Sequence, residues 1–451
     1  MRVIIKKKGS FRGLSLPENK ITAEKSIEDM PVPEEVTIPL EQNIGAPCEL
    51  IVGKGDEVKA GQKIADSKGY VSAPIHSSVS GKLLKVVKIV NPVTSKIMDA
   101  AVIKSDGGDS WVECKKLFKM GESDDYFGLK KIIDDIDKEE ALKKIREAGI
   151  VGLGGATFPT HVKLKPPPEK KIDTIILNGC ECEPFITSDH RIMLENGSEV
   201  LMGLYIISKL LSPENVYIGI EDNKKDAIEN LEKLIVTMNL DDLFKIVSLK
   251  SRYPMGAEKT LIKTITGRAV PIGGLPMDVG VVVNNVATAK SIYEAVIEEK
   301  PLVERIVTVT GVVTNPKNLK VRIGTSIELL IEKCGGYRSE FNSIIAGGPM
   351  MGISFAGTDF PVNKGTNCII VKKRRLQDEQ NCINCGRCID ACPMDLMPLV
   401  YVRNTKKKNF ETCREYYIGN CIECGSCAYV CPANIPIVGY IKTCKSELLK
   451  K

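Results

Sequence analysis

The chain has 451 residues, of which 43% are hydrophobic and 27% charged, a composition typical of a folded protein with about three domains. The net charge of +6 is mild, and a single tryptophan without a basic stripe gives no indication of nucleic-acid binding. No stretch reaches the ~18 apolar residues of a membrane span and the first residues lack an apolar signal core, so we expect neither a span nor export.

The N-terminal quarter predicts an arm followed by a small all-β unit. Residues 1–35 are charged and rich in turn signals, which indicates an extended arm. Residues 36–110 alternate β-branched runs with turn signals every eight to twelve residues, a pattern typical of short strands. Within them, "GDEVKAGQ" and "SAPIHSSVSGKL" resemble the two halves of a biotinyl- or lipoyl-type β-sandwich.

Lys68, in the segment "DSKGY", lies near the place where such a sandwich carries a modified lysine. The usual sequence around a modified lysine is absent. We therefore expect docking or scaffolding from this unit rather than lysine modification.

Residues 125–300 predict an α/β domain. Apolar residues at helical spacing over 125–150 indicate helices. Further along, the strand "DTIILNG" (173–179), a helix near 189–211, the strand "NVYIGIED", a helix near 223–238 and the strand "FKIVSLK" alternate. Strands that alternate with helices predict a parallel sheet, of a Rossmann-like kind, with helices on its faces.

The last third predicts two further units. Residues 301–357 are rich in β-branched residues around one helical stretch, which indicates a compact α+β module with a ubiquitin-like β-grasp. Residues 358–451 hold most of the sixteen cysteines. In a chain without an export signal, cysteines at this density favour metal binding over disulfides.

Two cysteine motifs, "CINCGRCIDACP" (382–393) and "CIECGSCAYVCP" (421–432), repeat the spacing C-x2-C-x2-C-x3-C-P. This spacing is typical of two-cluster ferredoxins, in which the fourth cysteine of each motif ligates the other motif's cluster. The alternative, a pair of zinc sites, usually separates two C-x2-C halves by a dozen or more residues. We therefore predict two 4Fe–4S clusters, one held by Cys382, Cys385, Cys388 and Cys431 and the other by Cys421, Cys424, Cys427 and Cys392.

A glycine-rich loop, "GLGGATFP" (152–159), follows a predicted helix, so it is not the strand-to-helix fingerprint of a dinucleotide-binding turn. Gly152, Gly154 and Gly155 would let backbone N–H groups approach a phosphate or a flat ring closely. Lys163 follows shortly and would offset phosphate charge. The loop is equally compatible with a structural turn.

Polar residues follow two predicted strands. The segment "LNGCECEPF" (177–185) places Asn178, Glu181 and Glu183 after one strand, and Asn284 and Asn285 end another apolar run. Ligands of α/β sheets bind at the carboxyl ends of strands. These side chains are therefore candidates to hydrogen-bond a ribityl chain, a ribose or a nicotinamide amide.

Taken together, these pieces resemble the RnfC family, a component of the Rnf complex, which is a membrane-bound ferredoxin:NAD+ oxidoreductase that pumps Na+ or H+. The resemblance covers nearly the whole length, from the sandwich through "GLGGATFPTHVKL", "NGCECEPFITSDHRIM" and "VNNVATA" to the two-cluster tail. The middle of the chain is also similar to the flavoprotein subunit of respiratory complex I, which binds FMN and NADH.

The resemblance implies roles for individual residues. The FMN- and NADH-binding positions that it implies are Gly152, Gly154, Gly155, Lys163, Asn178, Glu181, Tyr253, Gly256, Glu258, Asn284 and Asn285. Phe158, near the nicotinamide, and Glu183 are the implied catalytic residues. The chain departs from the flavoprotein pattern at Cys180, where that pattern has aspartate, and at Ala257, where it has one of two acidic residues.

The implied function is that of an NAD-dependent oxidoreductase subunit. NADH exchanges a hydride, the clusters carry single electrons, and FMN is the natural converter between the two. The resemblance also implies partners, namely the ferredoxin-like RnfB with RnfD, RnfG, RnfA and RnfE, ferredoxin indirectly, and a peripheral position on the cytoplasmic face of the membrane. The alternatives are a soluble flavin/iron–sulfur reductase, such as a cobalamin reductase, and a non-catalytic electron-transfer module that binds no nucleotide.

Overall fold

The structure, a computed structural model, describes residues 4–7, 13–91, 96–114, 126–341, 343–355, 357–358, 360–373 and 377–450. Four sheets organise these residues: a five-stranded parallel sheet, a six-stranded mixed sheet, and two small antiparallel sheets that share one core. A helical unit at the C-terminal end carries both cysteine motifs. Among the described helices, none is both long and apolar enough to cross a bilayer.

The first ninety or so described residues form the small all-β unit and two outlying strands. The strands are β1 (Ile4–Lys7), β2 (Ile27–Asp29), β3 (Glu35–Pro39), β4 (Glu49–Leu50), β5 (Glu57–Val58), β6 (Lys63–Asp66), β7 (Ile75–His76), β8 (Gly81–Val90) and β9 (Ile97–Ser105). Antiparallel strands in the order β3-β9-β8-β5 and a second sheet β4-β6-β7 enclose a core that includes Ile38, Ile64 and Leu83. We call this unit the sandwich unit.

The central α/β unit contains the predicted parallel sheet. Its elements are α1 (Tyr126–Asp135), α2 (Lys138–Glu147), α3 (Thr160–Lys163), β10 (Thr174–Gly179), α4 (Ser188–Glu195), α5 (Gly197–Leu211), β11 (Asn215–Glu221), α6 (Lys225–Thr237), β12 (Phe244–Leu249), α7 (Glu258–Thr266), a 3-10 turn (Pro276–Val279), β13 (Val281–Asn285) and α8 (Val286–Val296). The strand order is β1-β12-β11-β10-β13, and every pair is parallel. Helices α5 and α8 pack together over one face and bury its apolar side chains.

The mixed sheet lies next along the chain. Its elements are β14 (Glu304–Gly311), β15 (Lys317–Arg322), α9 (Ile327–Lys333), β16 (Ser343–Ala346), β17 (Ile353–Phe355) and β18 (Cys368–Lys372). The order is β17-β16-β18-β14-β15-β2, with β14 and β18 parallel at the centre. Residues 368–371 of β18 are buried, as expected of a central strand. The sheet therefore extends past the predicted end of this module at residue 357, because its central strand continues to Lys372.

The predicted N-terminal arm is not a separate unit. Strand β1 is the edge of the parallel sheet, with Ile4 opposite Ile246, and β2 is the edge of the mixed sheet, with Ile27 opposite Asn318. Both isoleucines pack against the core beneath the parallel sheet. The arm forms edge strands because its few apolar side chains find buried positions there; residues 1–3 and 8–12 of the predicted arm lie outside the described residues.

The C-terminal unit consists of short helices around the two cysteine motifs. They are α10 (Arg387–Asp390), α11 (Pro398–Lys406), α12 (Phe410–Glu415), a 3-10 turn (Ile418–Asn420), α13 (Ser426–Tyr429) and α14 (Ile437–Leu449). The motifs fold alike: Gly386 and Gly425, at equivalent positions, have φ of 77° and 79°. This left-handed conformation, which glycine adopts readily, turns the chain into α10 and α13.

Candidate functional site

The carboxyl ends of two neighbouring parallel strands bring the predicted polar residues together. Asn178 at the end of β10 lies opposite Asn285 at the end of β13. The Asn285 carboxamide oxygen accepts the Ala287 N–H at 2.9 Å and so caps α8, while its Nδ2 donates to Asp189 Oδ2 at 2.6 Å. Burial, with the nearby Glu181 charge, raises the pKa of Asp189 to about 7. This edge is therefore polar and largely pre-formed.

Asn284 is the exception in this polar edge. Its side chain is buried, and its Nδ2 has no hydrogen-bond partner among the described residues. A buried donor without a partner costs about 1–3 kcal/mol, so such groups usually face a ligand or ordered water. Asn284 therefore has the free hydrogen-bonding capacity that an acceptor-rich cofactor would use.

The glycine loop lies against the end of β13. The Gly152 N–H donates to the Phe158 carbonyl at 2.8 Å and the Thr157 N–H to the Gly152 carbonyl at 3.2 Å, which closes the loop on itself. Gly154 and Gly155 form its exposed tip. A Cβ atom at Gly154 would lie 3.0 Å from the Asn285 Cβ, so only glycine fits there without a shift.

Two side chains hold the base of this loop from outside. The Leu153 N–H donates to Thr288 Oγ1 on α8 at 2.9 Å, and Arg305 Nη2 on β14 donates to the Leu153 carbonyl at 3.2 Å. Arg305 also donates to the Thr366 carbonyl at 3.2 Å. Burial lowers the pKa of this arginine to about 10. The loop is thus anchored by the mixed sheet as well as by its own unit.

Lys163 and Glu258, which the resemblance assigns to the same site, form an ion pair. Lys163 Nζ at the end of α3 lies 3.0 Å from Glu258 Oε1 at the start of α7. Both side chains are partly exposed, at 29% and 40%. An exposed pair of this kind contributes about 0–1 kcal/mol to folding, so both groups remain open to exchange partners with an anionic ligand.

The segment from Asn178 to Glu183 is a tight turn in which several predicted ligand groups are already engaged. Asn178 Nδ2 donates to the Gly256 carbonyl at 2.8 Å, and its Oδ1 accepts the Cys180 N–H at 3.2 Å. The buried Glu181 carboxylate accepts the Asp189 N–H at 2.7 Å and so caps α4. Glu181 therefore stabilises a helix end instead of presenting a free carboxylate to a ribose, the role that its sequence context indicates.

Cys180 occupies the position where the flavoprotein pattern has aspartate. Its thiol is fully buried and lies 3.7 Å from the Gly219 carbonyl. Burial raises the pKa of this thiol well above its usual range, so it is neutral. The charge that an aspartate would bring is absent here.

Two buried lysines hold this turn, and no motif in the sequence points to either. Lys20 Nζ donates to the carbonyls of Glu181, Glu183 and Ile186 at 2.9, 3.2 and 2.5 Å. Lys224 Nζ donates to the Cys180 carbonyl at 2.6 Å. Burial lowers the pKa of Lys20. Nothing in the local sequence of the arm signals this role, because the acceptors lie more than 160 residues away.

Glu183 and Tyr253 lie at a junction of three units. The Glu183 carboxylate accepts the Met350 and Met351 N–H groups at 3.1 and 2.9 Å, and burial raises its pKa to about 7. The buried Tyr253 hydroxyl donates to the Cys424 carbonyl at 2.6 Å. At the adjoining Gly425, a Cβ atom would lie 2.8 Å from the Met350 carbonyl oxygen. The central unit, the mixed-sheet module and the second cysteine motif therefore meet here.

The eight predicted cluster ligands line two cavities, and each cavity takes cysteines from both motifs. One, of about 360 Å³, is lined by Cys392, Cys421, Cys424 and Cys427. The other, of about 500 Å³, is lined by Cys382, Cys385, Cys388 and Cys431. We call them the inner and outer cavities, because Cys424 and Cys427 are buried while Cys382 and Cys385 are exposed.

The donor set of these cavities fits iron–sulfur clusters. Burial raises the pKa of Cys421 to about 11 and raises those of Cys427 and Cys392, so the free thiols hold their protons and a cationic iron centre must displace them. The Glu423 and Leu396 N–H groups each lie 3.4 Å from a cysteine sulfur, that of Cys421 and Cys392 respectively. Such N–H···S contacts are among the features that set cluster potentials.

The predicted site residues thus fall into two groups. The glycine loop, Lys163, Glu258 and the asparagine pair surround the open edge of the sheet, with the half-buried Phe158 at the loop's base. Glu183 and Tyr253 face the cluster-bearing unit, and Asn178 and Gly256 connect the two groups through their shared hydrogen bond. The free Asn284 donor and the glycine-only tip fit a phosphate-bearing flavin.

Comparison with known proteins matches these units one by one. Four protein-family models match: the RnfC barrel sandwich hybrid domain (residues 9–108), the Nuo51 FMN-binding domain (145–294), the SLBB domain (306–354) and the 4Fe-4S dicluster domain (381–435). Among solved structures, an NAD+-reducing [NiFe]-hydrogenase in the H2-reduced state gives a TM-score of 0.49 at 16% identity, over 72% of this chain and 64% of that one. That likeness is too distant to carry an argument.

Three curated relatives are similar over most of their length. The RnfC-type component of the proton-translocating ferredoxin:NAD+ oxidoreductase complex of Clostridium ljungdahlii is 46% identical, over 90% of this chain and 87% of that protein. Its counterpart in the Na+-translocating complex of Acetobacterium woodii is 43% identical, over 90% of each. The counterpart in an ion-translocating oxidoreductase complex of Rhodobacter capsulatus is 39% identical, over 86% of this chain and 73% of that one.

Fold, site and similarity define a class first: an iron–sulfur flavoprotein of electron transport, with FMN and 4Fe–4S clusters as cofactors. The sandwich unit and the long, high-identity matches then narrow the class. The chain belongs to the RnfC family, whose members are components of ion-translocating ferredoxin:NAD+ oxidoreductase complexes.

Proposed function

We propose that this chain is the NAD(H)-reactive subunit of a membrane-bound ferredoxin:NAD+ oxidoreductase coupled to Na+ or H+ translocation. FMN, when bound, exchanges electron pairs with NADH and single electrons with iron–sulfur clusters. The observation that carries the proposal is the junction at which Glu183 contacts the mixed-sheet module and Tyr253 contacts the Cys424 carbonyl. That junction supports a short path between the flavin edge and the first cluster.

The open edge of the parallel sheet is the proposed flavin and nicotinamide site. Gly154 and Gly155 leave room for close approach of a phosphate or ring to the backbone, and Lys163 supplies positive charge that Glu258 balances when no anion is bound. Asn284 offers its unpartnered Nδ2 to a flavin oxygen. Phe158 keeps its proposed place beside the nicotinamide.

The acidic and aromatic residues of the junction take a positioning role. Glu181 and Glu183 hold the turn after β10 through backbone N–H groups, and Tyr253 fastens the cluster-bearing unit to the loop after β12. This differs from the roles that the resemblance implies for Glu183 and Tyr253, in which they act at the nucleotide. The present geometry favours alignment of the turn and the cluster unit.

The two cavities are the proposed sites of the two 4Fe–4S clusters, with ligands Cys392, Cys421, Cys424 and Cys427 at the inner one and Cys382, Cys385, Cys388 and Cys431 at the outer one. The inner cluster is the proposed neighbour of the flavin, because its Cys424 loop contacts Tyr253 and Met350. The outer cluster, with its exposed cysteines, is the proposed point of exchange with a ferredoxin-like partner protein of the complex.

The complex and its location follow from the family. The relatives named above belong to proton- and Na+-translocating complexes, and this chain is nearly as similar to one as to the other. We therefore infer that the transported ion is not determined by this component. Partner proteins of the Rnf type, RnfB foremost, would hold it peripherally at the cytoplasmic face of the membrane.

The finer fold assignments complete the proposal: a lipoyl-like sandwich, a Rossmann-like flavin unit, a β-grasp module that extends to Lys372, and a ferredoxin-like cluster unit. Two alternatives remain distinguishable by experiment. A soluble reductase would transfer electrons from NADH to a soluble acceptor without the other Rnf proteins. A pure electron-transfer module would hold both clusters but neither bind flavin nor respond to NADH.

An anaerobic NADH titration of the purified chain, followed by visible spectra with iron and flavin determined afterwards, tests the proposal. We expect flavin bleaching, cluster reduction in step, and about eight irons per chain, as two 4Fe–4S clusters require. Cys424→Ser and Cys385→Ser provide matched variants. We expect NADH to reduce the remaining cluster in Cys385→Ser and to fail with the remaining cluster in Cys424→Ser. Two clusters without flavin or NADH response would leave only the electron-transfer module.

A further inference from the structure

Two loops of the sandwich unit lie directly on the glycine loop and α3. The Ile44 N–H donates to the Thr157 carbonyl at 3.3 Å, inside the glycine loop. The Tyr70 carbonyl lies 3.3 Å from His161 Nε2 on α3, and the two rings stand edge to face with centroids 6.0 Å apart. A unit that the family match assigns no role therefore borders the proposed flavin and nicotinamide site.

The second of these loops, residues 67–70, is held firmly against the central unit. Arg146 Nη2 on α2 lies 2.9 Å from Asp66 Oδ1 and donates to the Ser67 carbonyl at 3.3 Å. The Val71 carbonyl accepts the Ala46 N–H at 2.9 Å, which ties the two sandwich loops to each other. Their position beside the glycine loop is therefore fixed by contacts on both sides.

Both loops expose large side chains there instead of burying them. Tyr70 is 62% exposed and Ile44 is 53% exposed, although each backbone is hydrogen-bonded to the glycine loop or α3. Lys68 between them is also largely accessible to solvent. An aromatic ring, a branched aliphatic chain and a cation next to a ligand loop are the groups that stack on a base, cover it and offset phosphate charge.

We propose that these residues form the wall that binds the adenosine half of NAD(H), with the Tyr70 ring against the adenine, Ile44 beside it and Lys68 near the pyrophosphate. The inference rests on the proposed function, which places the nicotinamide at the flavin and leaves the other half of the dinucleotide to extend past the glycine loop. The central unit offers no second phenylalanine, tyrosine or tryptophan after Phe158 in this loop and α3. The sandwich unit supplies one, and its role is then in cofactor recognition as well as in scaffolding.

The competing explanation is that Tyr70 only packs against His161 and keeps α3 in place. Reduced nicotinamide mononucleotide separates the two, because it reacts at the flavin but lacks the adenosine half. For Tyr70→Ala in the full-length holoprotein we expect KM for NADH to rise about tenfold with kcat within about twofold, the size of a lost base–aromatic stack. We expect KM for reduced nicotinamide mononucleotide to stay close to the wild-type value, and Tyr70→Phe to restore the wild-type values for both.

ADP-ribose provides a binding measurement that does not depend on turnover. It carries the adenosine half without the nicotinamide, so its Kd should also rise about tenfold in Tyr70→Ala. In Lys68→Gln its Kd should rise severalfold at low ionic strength and less at high ionic strength, since salt screens an exposed charge. Ile51→Ala is the matched control, because Ile51 is 59% exposed on the same unit while its N–H donates to the Ile64 carbonyl at 2.9 Å, within the sandwich itself.

The outcomes separate cleanly. If Tyr70→Ala raises KM for both reductants equally, or changes neither KM nor the Kd of ADP-ribose, the adenosine wall is refuted. If Tyr70→Ala is poorly folded, Tyr70→Leu, which keeps much of the packing volume but not the stacking face, takes its place with the same expected shifts. A wild-type protein that binds flavin but ignores NADH would refute the proposed function, a different result from NADH oxidation that is insensitive to Tyr70.

Discussion

Lys20 gives the sharpest test of how the flavin edge is built. Its ammonium donates to three carbonyls of the turn after β10, those of Glu181, Glu183 and Ile186, and it is buried. Replacement by methionine nearly keeps the length of the side chain and removes all three donors. The carbonyls would then be left without their partner in a site that water reaches poorly.

The size of the effect follows from the bonds that are lost. A hydrogen bond to a charged group contributes about 1.5–3 kcal/mol net, but burying the ammonium offsets part of the sum, as its lowered pKa indicates. We therefore expect Lys20→Met to lose about 2–4 kcal/mol of the free energy of unfolding. If half of that normally holds the turn in its flavin-binding form, Kd for FMN rises about 5- to 30-fold, at about 1.4 kcal/mol per factor of ten.

Fluorescence titration of the flavin-free protein with FMN measures the Kd, and thermal unfolding of the same sample measures the stability. Lys25→Met is the matched control, because Lys25 lies on the same arm but its side chain makes an exposed bond, to the Pro316 carbonyl at 2.8 Å. We expect the control to bind FMN with the wild-type Kd. Lys20→Met protein with wild-type FMN affinity and an unchanged unfolding temperature would show that the arm does not support this turn.

Three further predictions concern the same edge and its junction. Gly154→Ala should weaken FMN binding several-fold in the fluorescence titration, because its Cβ meets the Asn285 Cβ at 3.0 Å, while Gly152→Ala, with 3.7 Å of room, should not. Glu183 keeps its proton to about pH 7 in the folded state and to about 4.5 when unfolded, so folding takes up a proton and stability should fall as the pH rises between these two values; Glu183→Gln should flatten that slope in unfolding scans. Tyr253→Phe removes the donor to the Cys424 carbonyl, and stopped-flow spectra should show flavin bleaching at the wild-type rate with slower cluster reduction.

Local signals in the sequence are enough to predict the sheet and the cysteine motifs. The alternation of apolar runs and helices predicts the parallel order that β10 to β13 show, and the composition of the glycine loop marks its position. The interlocked use of the two motifs follows from spacing alone, and the two cavities group the cysteines in the same way. These features are local because a few consecutive residues carry each of them.

The features that the sequence does not reveal are all contacts between distant segments. Strand β2 pairs with β15 across more than half of the chain, and β18 lies beyond the predicted boundary of its own sheet. A three-residue edge strand buries too little apolar surface to leave a pattern of its own. Glu181 shows the same limit for side chains: its sequence context fits a ligand group, but the start of α4 folds back to within 2.7 Å of its carboxylate.

These distant contacts have a common consequence for how the flavin edge holds together. The turn after β10 depends on Lys20 of the arm, the glycine loop depends on Arg305 of the mixed sheet, and the loop after β12 is tied to Cys424 of the cluster unit. Each of these contacts is at least partly buried, so opening any one of them leaves unpaired polar groups at the edge itself. FMN affinity should therefore respond to changes in every one of these units, and a fragment limited to the central α/β unit should bind FMN far more weakly than the full-length protein.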